Sequence, residues 1–64
     1  MQNLLLMDVQ QLAHYLNLKP SKIRAMVFRR EIPYLKIGRL VRFQKDMIDH
    51  WINERSQSFS PLKK

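Results

Sequence analysis

The 64-residue sequence predicts a small α+β fold that is mostly α, with three helices and one β-hairpin. Apolar residues recur at helical spacing in residues 8–16, 20–30 and 45–55, whereas residues 34–43 alternate with a period of two. The only glycine, Gly38, stands in the middle of the alternating segment, where a hairpin would turn. A chain this short forms a single domain with a small core.

The first helix is predicted over residues 8–16, because their apolar side chains share one face. Asp8 is a favourable N-cap residue, and Gln11 three residues later completes a capping box. Asn17 stands where helices often end in the left-handed conformation. The apolar stripe consists of Val9, Leu12, Ala13 and Leu16.

The second helix is predicted over residues 20–30. Pro20 suits the first helical position, because its φ is preset and its missing amide proton is not needed there. Pro33 prevents the helix from continuing. Its apolar face carries Ile23, Met26 and Val27. Because only residues 17–19 separate the two helices, together they form a helix-turn-helix.

The hairpin in residues 34–43 has two possible registers. A two-residue loop at Gly38 and Arg39 would place an apolar residue beside a charged one on the same face. A three-residue turn that includes Leu40 creates one apolar face and is therefore favoured. This register pairs Ile37 with Val41, Leu35 with Phe43 and Lys36 with Arg42. The last pair places like charges opposite each other, a cost that a bound polyanion would relieve.

The third helix is predicted over residues 45–55, with Ile48, Trp51 and Ile52 on its apolar stripe. Asp46 and Asp49 lie near the positive N-terminal end of this helix, which favours carboxylates. Residues 1–55 are therefore predicted to be the folded domain. Residues 56–64 are predicted to be a flexible polar and basic tail.

Positive charge is concentrated in residues 19–45. This segment contains nine of the chain's twelve Lys and Arg residues and only one acid, Glu31, so its net charge is +8. Residues 1–18 carry −1 and residues 46–55 carry −2. Such a polarised distribution predicts a polyanionic partner.

Several classes of function are excluded by composition. There is no cysteine, and the two histidines lie on different helices, so neither a metal site nor a cofactor is expected. No acid–base pair is plausible, so the chain is not expected to be an enzyme. The apolar runs are far too short to span a membrane, which predicts a cytoplasmic protein without a membrane partner.

Several short motifs follow the helix-turn-helix in a characteristic order and spacing. They are Glu31-Ile32-Pro33, Lys36-Ile37-Gly38-Arg39, Arg42-Phe43, and an Asp46 followed five residues later by Trp51. With the preceding helices, this order resembles the excisionase-like, MerR-related winged helix-turn-helix DNA-binding family over residues 6–52. The sequence departs from that family at Asn17 and Arg30, where glycine is common, and at Lys19, where Ser or Thr is usual.

The resemblance implies that the second helix enters the major groove of DNA and that the hairpin, or wing, reaches the adjacent minor groove. Members of the family are recombination directionality factors or small phage and plasmid transcription regulators. The resemblance therefore implies a bacterial or phage-encoded, nucleoid-associated protein of a mobile genetic element. Its partners would be double-stranded DNA and an integrase or recombinase.

The candidate DNA-binding residues occupy the outer face of the second helix and the wing. On the helix they are Lys19, Ser21, Lys22, Arg24, Ala25, Phe28 and Arg29, and on the wing they are Lys36, Arg39 and Arg42. Ala25 suits a thymine methyl, and Lys22 or Arg24 suits guanine. Phe28 has two alternatives, packing beneath the wing or contacting DNA or a neighbouring subunit.

The predicted function is sequence-specific binding of double-stranded DNA. The alternative is a protein-interaction adaptor for an integrase or polymerase, with a basic face of secondary importance. No segment suits a coiled-coil dimer, so we expect a monomer in solution that binds cooperatively on DNA.

Overall fold

The computed structural model describes residues 5–56, which form three helices and a three-stranded antiparallel sheet of order β1-β3-β2. The elements are β1 (Leu6–Met7), α1 (Val9–Leu16), α2 (Pro20–Phe28), β2 (Leu35–Ile37), β3 (Leu40–Gln44) and α3 (Lys45–Ser56). The predicted α+β, mostly helical, winged helix-turn-helix fold is confirmed. Helix α3 extends one residue beyond its predicted end, and the rest of the predicted tail, residues 57–64, lies outside the described residues.

The predicted capping box at the start of α1 is confirmed. The Gln11 amide donates to Asp8 Oδ1 at 2.8 Å, and the Asp8 amide donates to Gln11 Oε1 at 2.9 Å. These two bonds satisfy amides that the first helical turn leaves without a carbonyl partner. At the other end Asn17 adopts the left-handed conformation with φ 57°, as predicted.

Helix α2 ends at Phe28, two residues before its predicted end. Arg30 adopts the left-handed conformation with φ 58°, which stops the helix. The Arg30 amide donates to the Val27 carbonyl at 3.0 Å, and the Glu31 amide donates to the Met26 carbonyl at 2.8 Å. This is the Schellman motif, in which glycine is the usual left-handed residue.

Replacing Arg30 with glycine should stabilise the domain by about 1 kcal/mol, because the left-handed conformation strains every side chain that has a Cβ. Arg29→Gly is the matched control, since it removes the same charge at a position with φ −87°. There we expect a loss of up to about 1 kcal/mol, because glycine adds freedom to the unfolded chain. Urea denaturation followed by circular dichroism measures both changes, and equal effects at the two positions would contradict this explanation.

The predicted hairpin register is wrong. The strands turn through the two residues Gly38 and Arg39, and the pairs are Ile37 with Leu40, Lys36 with Val41 and Leu35 with Arg42. Within this loop only Gly38 has a positive φ, 62°, the pattern of a type II′ turn, whose twist matches that of the flanking strands. Lys36 and Arg42 therefore do not face each other, and they lie on opposite faces of the hairpin.

The sequence prediction also missed strand β1. Leu6 pairs with Gln44 and Met7 pairs with Phe43, and the Lys45 amide donates to the Leu5 carbonyl at 3.0 Å. Phe43 was expected to face Leu35, but β3 pairs with β2 only through residues 40–42, and Phe43 and Gln44 pair with β1. A two-residue strand is too short for a period of two to be detected.

The core contains buried side chains from all three helices, from β3 and from the segment between α2 and β2. Its buried side chains are Leu12, Ala13, Ile23, Met26, Ile32, Phe43 and Ile48. Phe43 is the largest side chain that is fully buried, and its strand lies between β1 and β2. Because α2 and β3 both contribute side chains to this core, the position of α2 relative to the hairpin is fixed.

A polar contact joins α1 to α3 at the surface. The Tyr15 hydroxyl donates to Asp49, and Lys45 Nζ donates to the same carboxylate at 2.9 Å. The hydrogen bond from Tyr15, followed by that from Lys45, lowers the pKa of Asp49, while the bond to Asp49 raises the pKa of Lys45. The carboxylate of Asp49 therefore accepts hydrogen bonds from both Tyr15 of α1 and Lys45 of α3.

Candidate nucleic-acid interface

The outer face of α2 is the first part of the candidate interface. Ile23 and Met26 are buried, which directs the opposite side of the helix to solvent. Ser21 and Phe28 lie two turns apart on the middle line of that outer side, and Ala25 lies half-buried between them. The exposed cations Lys22, Arg24 and Arg29 flank this line.

Phe28 does not pack beneath the wing, because 88% of its surface is exposed. One of its two predicted alternatives is therefore wrong. The exposed ring is available to contact another molecule, which is the second of the two alternatives. Its place on the same line of α2 as Ser21 makes it part of the surface that any ligand of this helix would meet.

The N-terminus of α2 adds a fixed positive charge to the same surface. Lys19 is the N-cap residue and is exposed, and its side chain makes no capping hydrogen bond. Its carbonyl accepts from the Lys22 amide at 2.9 Å. Because the helix dipole is positive at this end, the backbone and the Lys19 ammonium attract the same anion.

The wing presents its three predicted cations in three different environments. Arg39 occupies the tip of the turn and is exposed, and Lys36 is exposed on β2. Arg42 is half-buried, and its Nη1 donates to the Val41 carbonyl at 2.8 Å. Arg39 is therefore the wing cation with the greatest freedom to enter a narrow groove.

Helix α2 and the wing lie on either side of a gap. The gap has a volume of about 220 Å³ and is lined by Val9, Arg24, Val27 and Val41, residues that come from α1, α2 and β3. Arg24 thus lies where the outer face of α2 meets the hairpin. Of the predicted site residues, Arg24 alone lines this gap, with Val41 of the wing on the opposite side.

Two of the acidic residues have partners within α3, away from these cations. In residues 5–56, Lys45 forms an ion pair with Asp49 at 2.9 Å, and His50 Nε2 lies 3.1 Å from the Glu54 carboxylate. Within the same residues no carboxylate forms an ion pair with a cation of α2 or of the wing. The positive field of these two elements is therefore not neutralised locally.

The sequence prediction omitted Arg30, although this exposed cation directly follows Arg29. Arg30 lies within the basic segment of residues 19–45, but it was assigned to the helix, whereas it lies in the turn after α2. In the described part of the chain, no group of three His, Asp or Glu side chains is arranged to hold a metal ion. No helix between residues 5 and 56 is long and apolar enough to cross a membrane.

Residues 6–56 match the model of the family described as helix-turn-helix domain. The matched range begins at β1 and ends with the last residue of α3. Comparisons with curated proteins and with solved structures give no match.

Proposed function

The chain belongs to the helix-turn-helix domain family, a family of excisionase-like DNA-binding domains that are typically not enzymes, and from this premise we propose that it binds double-stranded DNA sequence-specifically. Its biological role would be that of an excisionase-type recombination directionality factor or a small phage or plasmid transcription regulator. In that role the protein positions or bends DNA and catalyses no reaction.

One observation carries this proposal. The exposed cations of α2 and the wing have no acidic partner within residues 5–56, while Asp49 and Glu54 contact Lys45 and His50 within α3. A surface whose charges served only solubility would gain from mixing both signs. The separation of sign instead favours a ligand whose negative charge is extended along a surface.

The dimensions of α2 and the wing suit the two grooves of B-DNA. A helix with its side chains is about 10–12 Å in diameter, and the major groove is about 12 Å wide. Ser21 and Ala25 are small, so the helix can approach the bases closely, and Lys22 or Arg24 can reach guanine. Arg39 on its narrow turn enters the minor groove, where A·T-rich sequence deepens the negative potential.

A single domain of this size would contact only a small part of the duplex, about 600–1,000 Å². High specificity then requires several copies on repeated sites or an additional protein partner. We propose that the chain is monomeric in solution and binds cooperatively on DNA, with an integrase or recombinase as the second partner.

The proposal is tested by selection of bound duplexes from a random-sequence pool, followed by affinity measurements on an enriched duplex and its scrambled counterpart. We expect enrichment of one motif and a steep loss of affinity with salt. About six phosphate contacts give a slope of about −5 in a plot of log affinity against log salt concentration. A flat salt response without enrichment would reject DNA binding and would favour the protein-interaction adaptor.

A further inference from the structure

The tip of the wing carries two exposed apolar side chains. Ile37 has 50% of its surface exposed and Leu40 has 53%, although both residues lie in strands. They flank the two-residue turn as a pair, so they lie opposite each other on one face of the hairpin. A Cβ atom added to Gly38 within this turn would meet nothing within 4 Å in the described part of the chain. The tip therefore stands clear of the rest of the domain.

The packing of the domain does not account for this apolar pair. Val41 packs against the core, and successive residues of a strand point to opposite faces of the sheet. Leu40 and its partner Ile37 therefore lie on the face that is turned away from the core. Neither side chain belongs to the core cluster of residues 5–56 or packs against it. The pair is thus available to a ligand outside the domain.

Positive charge surrounds the apolar pair. Arg39 lies between the two residues in the turn, Lys36 precedes Ile37, and both cations are exposed. Residues 34–45 include no acidic residue. The tip therefore suits a ligand that offers an apolar space flanked by negative charge. A step between two base pairs of DNA has this combination, because its stacked bases are apolar and its phosphates lie on both sides.

We propose that Ile37 and Leu40 form an apolar wedge that enters the minor groove beside Arg39 and inserts between two neighbouring base pairs. The wedge presupposes the DNA binding proposed above. Its insertion partly unstacks the two base pairs and kinks the duplex toward the major groove, by about 20–90° for apolar wedges of this kind. The wing then bends its target in addition to holding it.

The width of the minor groove favours a wedge over simple insertion of the hairpin. The two strands of a hairpin lie about 5 Å apart before side chains are added, whereas the minor groove is about 6 Å wide. A tip that carries Ile37 and Leu40 on one face is therefore too wide for undisturbed B-DNA. A kink toward the major groove opens the minor groove and provides the space that these side chains need.

The wedge adds a sequence preference that needs no hydrogen bond to a base. Pyrimidine–purine steps such as TA and CA are easily kinked and unstacked. A TA step also suits the A·T-rich sequence that attracts Arg39. The duplexes selected for binding should therefore share a TA or CA step at the position that the wing reaches.

Bending is measured by energy transfer between fluorophores at the two ends of a selected duplex, with the protein at saturating concentration. The parent protein is compared with Ile37→Thr/Leu40→Thr, in which β-branched polar residues preserve the strands. The matched control is Leu5→Thr/Leu6→Thr, which changes two residues that are 51% and 43% exposed at the β1 edge of the sheet. We expect the parent and the control to bend the duplex, and the wing variant to reduce the bend by about half or more.

The adenine analogue 2-aminopurine gives a direct test with the parent protein, because the fluorescence of this base rises when it is unstacked. Placed in turn along the selected duplex, it should brighten at one step when the parent binds, and not when the wing variant binds. Removing a base at that step lowers the cost of unstacking, so the parent should bind such a duplex about tenfold more tightly. The wing variant should show no such gain.

Duplex binding by the parent without a bend, or without a bright step, would overturn the wedge and leave DNA binding intact. Equal bends in the parent and the wing variant would also overturn it. If the wing variant kept the bend but lost cooperativity between adjacent sites, the apolar pair would instead be a contact between neighbouring copies. Failure of the parent to bind any duplex would reject the proposed function and the wedge together.

Discussion

Truncation of Phe43 to alanine should leave a large fraction of the domain unfolded at 25 °C. The side chain is fully buried on the central strand, and removing such a phenylalanine costs about 3–5 kcal/mol. A domain of this length has a total stability of about 3–10 kcal/mol. One substitution therefore removes a large part of the free energy of unfolding, which urea denaturation followed by circular dichroism measures.

Phe28→Ala is the matched control, because it removes the same atoms from a side chain that is 88% exposed. Its effect on stability should stay within about 0.5 kcal/mol, as for most surface substitutions. Similar losses of stability in the two variants would contradict the structure, in which Phe43 is buried and Phe28 is exposed.

The double substitution Arg24→Ala/Arg39→Ala should weaken duplex binding by about 30-fold or more. One residue lies where α2 meets the hairpin and the other at the tip of the wing. Each arginine that contacts a base contributes about 1–3 kcal/mol, and a loss of about 1.4 kcal/mol is a factor of ten in affinity. Fluorescence anisotropy on the duplex enriched by selection measures the change, and unfolding by urea verifies that the fold is intact.

Lys63→Ala/Lys64→Ala removes the same total charge outside the proposed interface and is the control for non-specific attraction. It should reduce affinity far less than the arginine pair does. Equal losses in the two double variants would indicate that net charge alone governs binding and would reject the assignment of the helix and wing. The two single arginine variants then separate the contribution of the major groove from that of the minor groove.

The elements that depend on local sequence were predicted well. The capping box of Asp8 and Gln11 and the left-handed Asn17 follow from interactions within a few residues, and both are confirmed. The end of α2 was predicted two residues too late, because arginine rarely adopts the left-handed conformation that Arg30 has here. The exposed cations of α2 were predicted as one surface, since burial of Ile23 and Met26 determines which side of the helix is turned outward.

The register of the hairpin could not be predicted from its own residues. Apolar pairing within the hairpin favoured placing Phe43 opposite Leu35, but Phe43 pairs with Met7 across the other edge of β3. A prediction confined to residues 34–43 could not include that third strand. The type II′ geometry at Gly38 then determined a two-residue turn and placed Lys36 and Arg42 on opposite faces.

The order of helices and hairpin, the polarised charge and the family could be predicted from residue patterns, because periodicity, capping and composition act over short distances or over the whole chain. The strand pairing and the exposure of Phe28 could be read only from the folded chain. Both features depend on which residues, distant in sequence, are packed together in the small core. Only the folded chain shows which apolar side chains are buried there and which remain exposed.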